Sequence, residues 1–340
     1  MLLRFQQFFW LFLLLLACSR SRGDQPTQAA IGAAIEKSLP LLMTAANGHR
    51  ENRTCFACHH QGPPLMAVAA ARSRGFAIDE QELSEQIKFI AEFLGKSREA
   101  FAAGKGTGGQ ADTAGYALWT LSSLAYPADE TTTAVAEYLL LRHKDLEYWK
   151  GTSNRPPSEL SSFTTSYMGL YGLASFGTQE QQERIAGRKA TVREWLLKTP
   201  AVDNEDRVFR LWGLHQADAD DEQVATAAKE LLARQREDGG FAQLDAGEPV
   251  AATESDAYAT GTALVALHET GQLAATDPAY QRGIAYLLKL QQDDGSWHVV
   301  SRSKPFQAYF ESGFPHGKDQ FISCAASAWA TWALVLASNR

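Results

Sequence analysis

Two seven-residue strings constrain this chain more than any other feature. Gln235-Arg-Glu-Asp-Gly-Gly-Phe241 and Gln291-Gln-Asp-Asp-Gly-Ser-Trp297 share a glutamine, an Asp-Gly pair and a final aromatic residue at the same offsets. Each follows a helical pattern, at 223–234 and 280–290, which the Asp-Gly turn ends. A weaker third copy has His143 in the glutamine position and Trp149 in the aromatic one, with two leucines just before. A unit that recurs in this way is one supersecondary piece, and it buries its apolar face against its neighbours.

After each copy comes a helical stretch rich in small residues, as at 258–267 and 325–334. The same kind of stretch appears at 114–124, 167–176 and 207–214. Small residues let helices approach closely, which suits an inner ring, whereas leucine-rich helices with charged flanks suit an outer one. Six outer/inner pairs are predicted: 29–45 with 64–74, 80–95 with 112–125, 131–143 with 163–176, 180–197 with 205–216, 221–236 with 256–270, and 277–292 with 321–337.

The repeat resembles the Q-x-x-D-G-[SG]-W motif of squalene–hopene cyclases, and the segment from Arg282-Gly283 through Trp297 fits that longer pattern. The resemblance, to the terpenoid cyclase and protein prenyltransferase superfamily, implies an all-α fold: an α/α toroid whose inner helices surround a central cavity. Its two strong repeats cover about 120 residues. The resemblance also implies an isoprenoid or other apolar small molecule as ligand.

Cys55-Phe-Ala-Cys-His59 spells C-x-x-C-H, the attachment motif of a c-type haem. Two thiols at that spacing can form thioethers to one porphyrin's vinyl groups, and the following histidine is placed to ligate the iron. Cys55, Cys58 and His59 are therefore candidate haem c ligands, with His59 on the iron. Two plainer readings are a Cys55–Cys58 disulfide and a zinc site using His59 or His60, although zinc wants four ligands and no second C-x-x-C exists. The six-pair scheme puts the motif in the first outer-to-inner loop, at the mouth where inner helices begin. His298 and His316, in the last such loop, are candidate distal ligands, and an iron with one open position is the other expectation. His60 is expected to point away from His59.

Asp218-Ala-Asp-Asp221 matches the D-x-D-D string that supplies the proton in squalene–hopene cyclases. It follows an inner helix instead of preceding one, so a helix N-cap at Asp220 or Asp221 is the better reading. Asp112, Asp206 and Asp256 do sit at inner-helix starts. Asp256 is the best weak candidate for a catalytic acid at the cavity mouth, with an N-cap as the alternative. Tyr116, Trp119, Tyr167, Tyr171, Phe209, Trp212, Tyr258, Trp329 and Trp332 are placed on inner helices, as core or as the wall of an apolar pocket. Gly104–Gly109 matches G-x-G-x-x-G, but no strand precedes it, so a loop is expected.

Arg4 followed by the apolar run Phe8–Ala17 reads as an export signal. Leu15-Leu-Ala-Cys18 resembles a lipobox, so 1–18 is expected to be a signal, 19–28 a tether and 29–340 the toroid. No other segment is expected to cross a membrane. An exported, periplasmic or lipid-anchored location suits covalent haem attachment, which takes place outside the cytoplasm. A net charge of −7 without a basic patch argues against nucleic acid. The expected work is redox chemistry with a partner protein, an isoprenoid-processing enzyme or a non-catalytic binding toroid being the alternatives.

Overall fold

The computed structural model describes residues 26–245, 253–304 and 308–340. The signal segment, Cys18 and most of the tether lie outside the described residues. Almost all regular structure in the described chain is helix: α1 (Gln28–Asn52), α2 (Gly62–Ser73), α3 (Glu80–Gly95), α4 (Arg98–Ala102), α5 (Gln110–Ser123), α6 (Glu130–Leu141), α7 (Ser162–Phe176), α8 (Gln182–Lys198), α9 (Asn204–Gln216), α10 (Asp221–Leu232), α11 (Ala257–Glu269), α12 (Pro278–Leu290) and α13 (Gln320–Ala337).

These helices form the predicted toroid. The inner helices α2, α5, α7, α9, α11 and α13 pack in that order, and α13 returns to pack on α2, closing the ring. The helices α1, α3, α6, α8, α10 and α12 lie outside them. Small residues set the inner spacing. A Cβ on Gly261 of α11 would lie 2.7 Å from the Trp329 carbonyl carbon of α13, and one on Gly115 of α5 would lie 2.6 Å from Met168 Cβ of α7.

The repeated string acts as a staple. Trp297 Nε1 donates to Leu287 O at 2.8 Å, and Trp149 Nε1 donates to Leu139 O at 2.9 Å, each ten residues back on the preceding outer helix. The backbone N–H of the aromatic residue then donates to a hydroxyl on the next inner helix. Phe241 uses Thr260, Trp297 uses Ser327 and Trp149 uses Ser166. The glutamine reaches sideways. Gln235 Nε2 donates to Gly239 O and to Ala279 O of α12, at 2.9 and 2.7 Å. Gln291 Nε2 donates to Gly295 O and to Ala34 O of α1, at 3.1 and 2.9 Å, so the last repeat is tied to the first helix. Gly239 and Gly295 have φ of +88° and +94°, and a Cβ there would meet a carbonyl oxygen of the same neighbouring outer helix. Glycine is required at these two turns by conformation and by space.

Four details differ from expectation. Helix α1 runs two turns beyond the predicted end, carrying His49 to the C-x-x-C-H loop. The short α4 was not foreseen, nor the antiparallel pairing of Phe241–Ala242 with Ser255–Asp256. Finally, α1 and the segment Gly317–Ala337 are both long and apolar enough to cross a membrane, contrary to expectation. They pack against each other, and their apolarity serves the core of the toroid.

Gln291→Ala removes both bonds at the seam of the ring and leaves two carbonyls short of a donor. A loss of roughly 1–3 kcal/mol is expected, seen as a lower urea midpoint with unchanged m-value. A midpoint equal to that of the unsubstituted protein would remove the staple from the account of closure.

Candidate functional site

The loop carrying Cys55, Cys58 and His59 is fixed on three sides. His49 Nε2–H donates to Cys55 O at 2.6 Å. Gln61 accepts from Ala57 N and donates to Gln86 of α3, and Gln86 donates to Asn47 of α1. Gln61 and Gln86 are completely buried. Gly62-Pro63-Pro64 then starts α2, with proline where the helix has no use for an N–H.

A second loop, 142–161, reaches the same place from α6. Asp112 anchors it: Oδ2 accepts from Thr152 N and Oγ1, and Oδ1 accepts from Thr165 Oγ1 at 2.5 Å. Tyr116 OH donates to Ser158 O at 3.0 Å. The loop delivers Glu159, whose side chain is only 3% exposed. Glu159 Oε1 lies 3.2 Å from His59 Nδ1, and Arg155 Nη1 donates to Oε2 at 3.0 Å. Burial alone would raise the Glu159 carboxyl. The His59 hydrogen bond and the charges of His59 and Arg155 outweigh it and hold the group below its ordinary range, ionised.

His59 and His60 line a cleft of about 570 Å³. Phe310, Phe321, Tyr309 and Ala308 supply its apolar wall, and Arg155, Lys304 and Lys318 its cationic groups. The Phe321 ring is 5.4 Å from His59, and Phe310 is 6.0 Å from His60. Arg53 stacks 4.3 Å from the Phe310 centroid and donates to Ala308 O, which holds the wall in place. The volume is in the ordinary range for a small-molecule site.

His60 lies beside His59, not away from it as expected. Their ring centroids are 4.7 Å apart in a T-shaped contact, because both sit in the turn before α2. Both ring nitrogens of His60 are buried without a partner, as is His49 Nδ1. Burial, followed by the neighbouring histidines, pushes His60 well below its ordinary range. Burial likewise lowers His49 to about 4, so both rings are neutral.

Cys55 and Cys58 are free thiols, the first exposed and the second buried. Burial and then the Glu159 and Asp112 carboxylates push the Cys58 thiol well up, against the thiolate that zinc would need. Among the described residues, no three His, Cys, Asp or Glu side chains gather as a metal site.

The other sequence candidates lie elsewhere. His298 and His316 stack on each other at 4.6 Å, and neither lines the cleft. His298 Nε2 pairs with Asp319 at 2.9 Å, and His316 Nε2 with Ser296 Oγ at 2.7 Å. Asp256 caps α11, accepting from Ala259 N and from Gln243 Nε2, both at 2.8 Å. Asp206 accepts from Ser161 Oγ and Val202 N. Asp220 caps α10, with Gln223 accepting its N–H, so the D-x-D-D string is a helix start. The Gly104–Gly109 segment is a turn between α4 and α5.

The inner-ring aromatics meet across the barrel. Trp119 of α5 lies 5.6 Å from Trp212 of α9 and 5.9 Å from Trp329 of α13, centroid to centroid, although neither helix is its neighbour in the ring. These rings fill the centre. Glu205, Tyr258 and Thr164 form a buried polar group toward the inner-helix starts. Sequence reasoning missed Glu159, Arg155, His49 and the phenylalanines, which come from distant loops with no local pattern of their own.

The squalene-hopene cyclase C-terminal domain family matches residues 208–334. No match is found among curated proteins. Among solved structures, a variant of the type II terpene cyclase MstE from Scytonema, with merosterolic acid A as product, aligns at TM-score 0.55 and 14% identity, covering 91% of this chain and 97% of that one. Another MstE variant, with geranylgeranyl dihydroxybenzoate as substrate, gives 0.54 and 14%, covering 91% and 98%. The unsaturated glucuronyl hydrolase from Bacillus sp. GL1 gives 0.57 and 14%, covering 90% and 95%. At these identities the likeness is one of fold, the α/α toroid.

Two half-buried aspartates give this mouth a pH signature. Burial, aided by Asp206, raises Asp203 to about 6, and burial raises Asp256 to about 6. An unfolded aspartate titrates near about 3.9. The stability these groups add is therefore full below about pH 4 and is lost as pH rises to about 6. Asp256→Asn cannot titrate and keeps a capping acceptor. It is expected to reduce the fall in urea midpoint between pH 4 and 6.5, whereas an unchanged fall would mean that Asp256 is ionised throughout.

Proposed function

We propose that the protein is an exported toroid that carries a covalent c-type haem in the mouth cleft and does redox work there. The observation that carries this reading is that the histidine of C-x-x-C-H lines an apolar cleft with Nδ1 bound to a buried carboxylate, so that Nε2 remains for a metal. Cys55 and Cys58 would hold the porphyrin by thioethers, and His59 would be the axial ligand. The bound group would supply a redox-active iron. The chain's own part is to position and shield. Phe310 and Phe321 keep water from the His59 side, while Arg155, Lys304 and Lys318 offer charge to two propionates. Export, a lipid anchor at Cys18 and a redox partner protein belong to the same proposal.

A second reading is an isoprenoid-processing enzyme. The match over 208–334 and the terpene cyclase neighbours favour it, and they speak for it more than for haem. The cleft's apolar wall would take a polyprenyl chain. Against it stand the aromatic filling of the toroid centre and the use of the D-x-D-D string as a helix cap. The same fold also houses a glucuronyl hydrolase, so fold does not decide between readings.

Expression with the cytochrome maturation machinery, followed by a denaturing gel stained for haem, tests the first reading. A stained band is expected, absent in the Cys55→Ala/Cys58→Ala double variant. An unstained band, or one that survives the double substitution, ends it. Incubation with squalene or geranylgeranyl substrates is expected to give no cyclised product by mass spectrometry, and a product would establish the second reading in its place.

A further inference from the structure

We infer that a cavity at the far end of the ring binds a small organic ammonium ion, a quaternary or otherwise N-methylated amine, held by an aromatic cage and the Glu269 carboxylate. The site is separate from the C-x-x-C-H cleft and does not depend on the haem reading.

The turns of the repeat gather where the inner helices begin. The cavity, of about 220 Å³, lies at the other end, where they finish. Ser123, Gln216 and Glu269 line it, and they are the last residues of α5, α9 and α11. The C-terminal end of a helix carries the negative pole of its macrodipole, so three such poles converge on one small space. The outer helices α8, α10 and α12 answer theirs with Lys198, Lys229 and Lys289 in the last turn. The last turns of α5, α9 and α11 hold no lysine or arginine, and His215 and His268 are their basic groups. Glu269 adds the one carboxylate of the lining. It forms no ion pair among the described residues. Arg74, whose charge reaches it, donates to the Ser338 and Arg340 carbonyls and does not line the cavity.

The walls are the rings of Trp119, Tyr167, Tyr171, Trp212 and Trp332. Tyr167 and Trp212 lie nearly parallel at 5.2 Å, and Trp119 stands almost perpendicular to both, at 5.0 and 5.6 Å. Trp332 and Tyr171 are tilted by 53° and 46° to Trp119. Rings at such angles surround a space instead of stacking it shut. Their π faces attract a cation, and most strongly one that sheds its water easily. A methylated ammonium does so, and its methyl groups pack on the same rings. A small metal ion would want several oxygen or nitrogen ligands, and among the described residues no such cluster exists. The volume lies below the roughly 300–1,000 Å³ of drug-sized sites, which limits the occupant to a small headgroup. The remaining lining, Ser123, His215, Gln216 and Glu269, is polar and gives acyl chains no seat, so the occupant is a free solute and not a lipid.

The test is isothermal titration of the full-length protein at low salt, with choline as probe and its uncharged carbon isostere, dimethylbutanol, as control. Choline is expected to bind at one site per chain, and the alcohol at least about tenfold more weakly. No saturable choline binding, or equal binding of the alcohol, overturns the inference. Trp332→Leu is expected to weaken choline by about tenfold. Glu269→Gln leaves the packing alone and serves where Trp332→Leu disturbs the fold. It is expected to weaken choline about threefold, with the loss shrinking at high salt. Unchanged affinity in both variants overturns the site. Dihexanoylphosphatidylcholine, below its micelle concentration, is expected to bind no more tightly than choline, and tighter binding overturns the assignment to a free solute.

Discussion

The structure depends on one local device, the staple made by each Gln…Asp-Gly…aromatic turn. A helical hairpin cannot bury both faces alone, so its stability lies in how it meets its neighbours. The backbone N–H of the aromatic residue ties the turn to the inner helix ahead of it, and where that residue is tryptophan its indole N–H also ties the outer helix behind it. The glutamine crosses to the next outer helix. At Gln291 that next helix is α1, so the bond that joins neighbours elsewhere closes the circle there. Because the turns lie between outer and inner helices, they also gather every such loop at one mouth, and this places the C-x-x-C-H loop beside the last loop of the chain.

Most of the architecture could be read from residues in sequence, because the staple and the two helix types are local patterns. The six pairs come out within a few residues of prediction, apart from the longer α1. Its C-terminal turns carry His49 and Arg50, polar residues with no periodic apolar partner to extend the pattern. The site was legible only in part. Cys55, Cys58 and His59 stand out by spacing; Asp220 caps a helix as expected, and Asp256, the candidate acid with a cap as the alternative, also caps one. Glu159 and Arg155 lie in a loop with no periodicity, and their importance comes from Asp112 and Tyr116 folding that loop across the mouth. Phe310 and Phe321 flank an irregular stretch whose role is set by ring closure. His60 departs from expectation because the turn before α2 sets both rings side by side.

Aromatic side chains occupy much of the centre of the ring. Rings from α5, α9 and α13 touch each other at 5.6–5.9 Å, so helices that are not neighbours are in contact through their aromatic side chains. A toroid that processes a long apolar chain inside itself would need that volume. Here it is occupied by Trp119, Trp212 and Trp329, all of which are buried. A cleft of about 570 Å³ lies where loops 53–61, 142–161 and 291–319 meet, and a smaller cavity of about 220 Å³ opens among Trp119, Tyr167, Trp212 and Trp332 at the inner-helix ends. The loops of a rigid scaffold are where a fold acquires new work.

The burial of Glu159 sharpens the argument about that rim. A carboxylate taken out of water is costly unless it is paired and hydrogen-bonded. Arg155, four residues away in the same loop, could satisfy it alone with both oxygens. The fold nevertheless brings His59 to the same carboxylate, by way of the His49, Gln61 and Gln86 bonds that fix the opposing loop. Three polar groups from two loops are thus held together around a buried carboxylate, with two partnerless nitrogens of His60 beside them. A purely structural contact between loops would be made more cheaply by apolar side chains of the same size. The carboxylate so held is hydrogen-bonded to the histidine of the C-x-x-C-H motif, whose ring lines the apolar cleft.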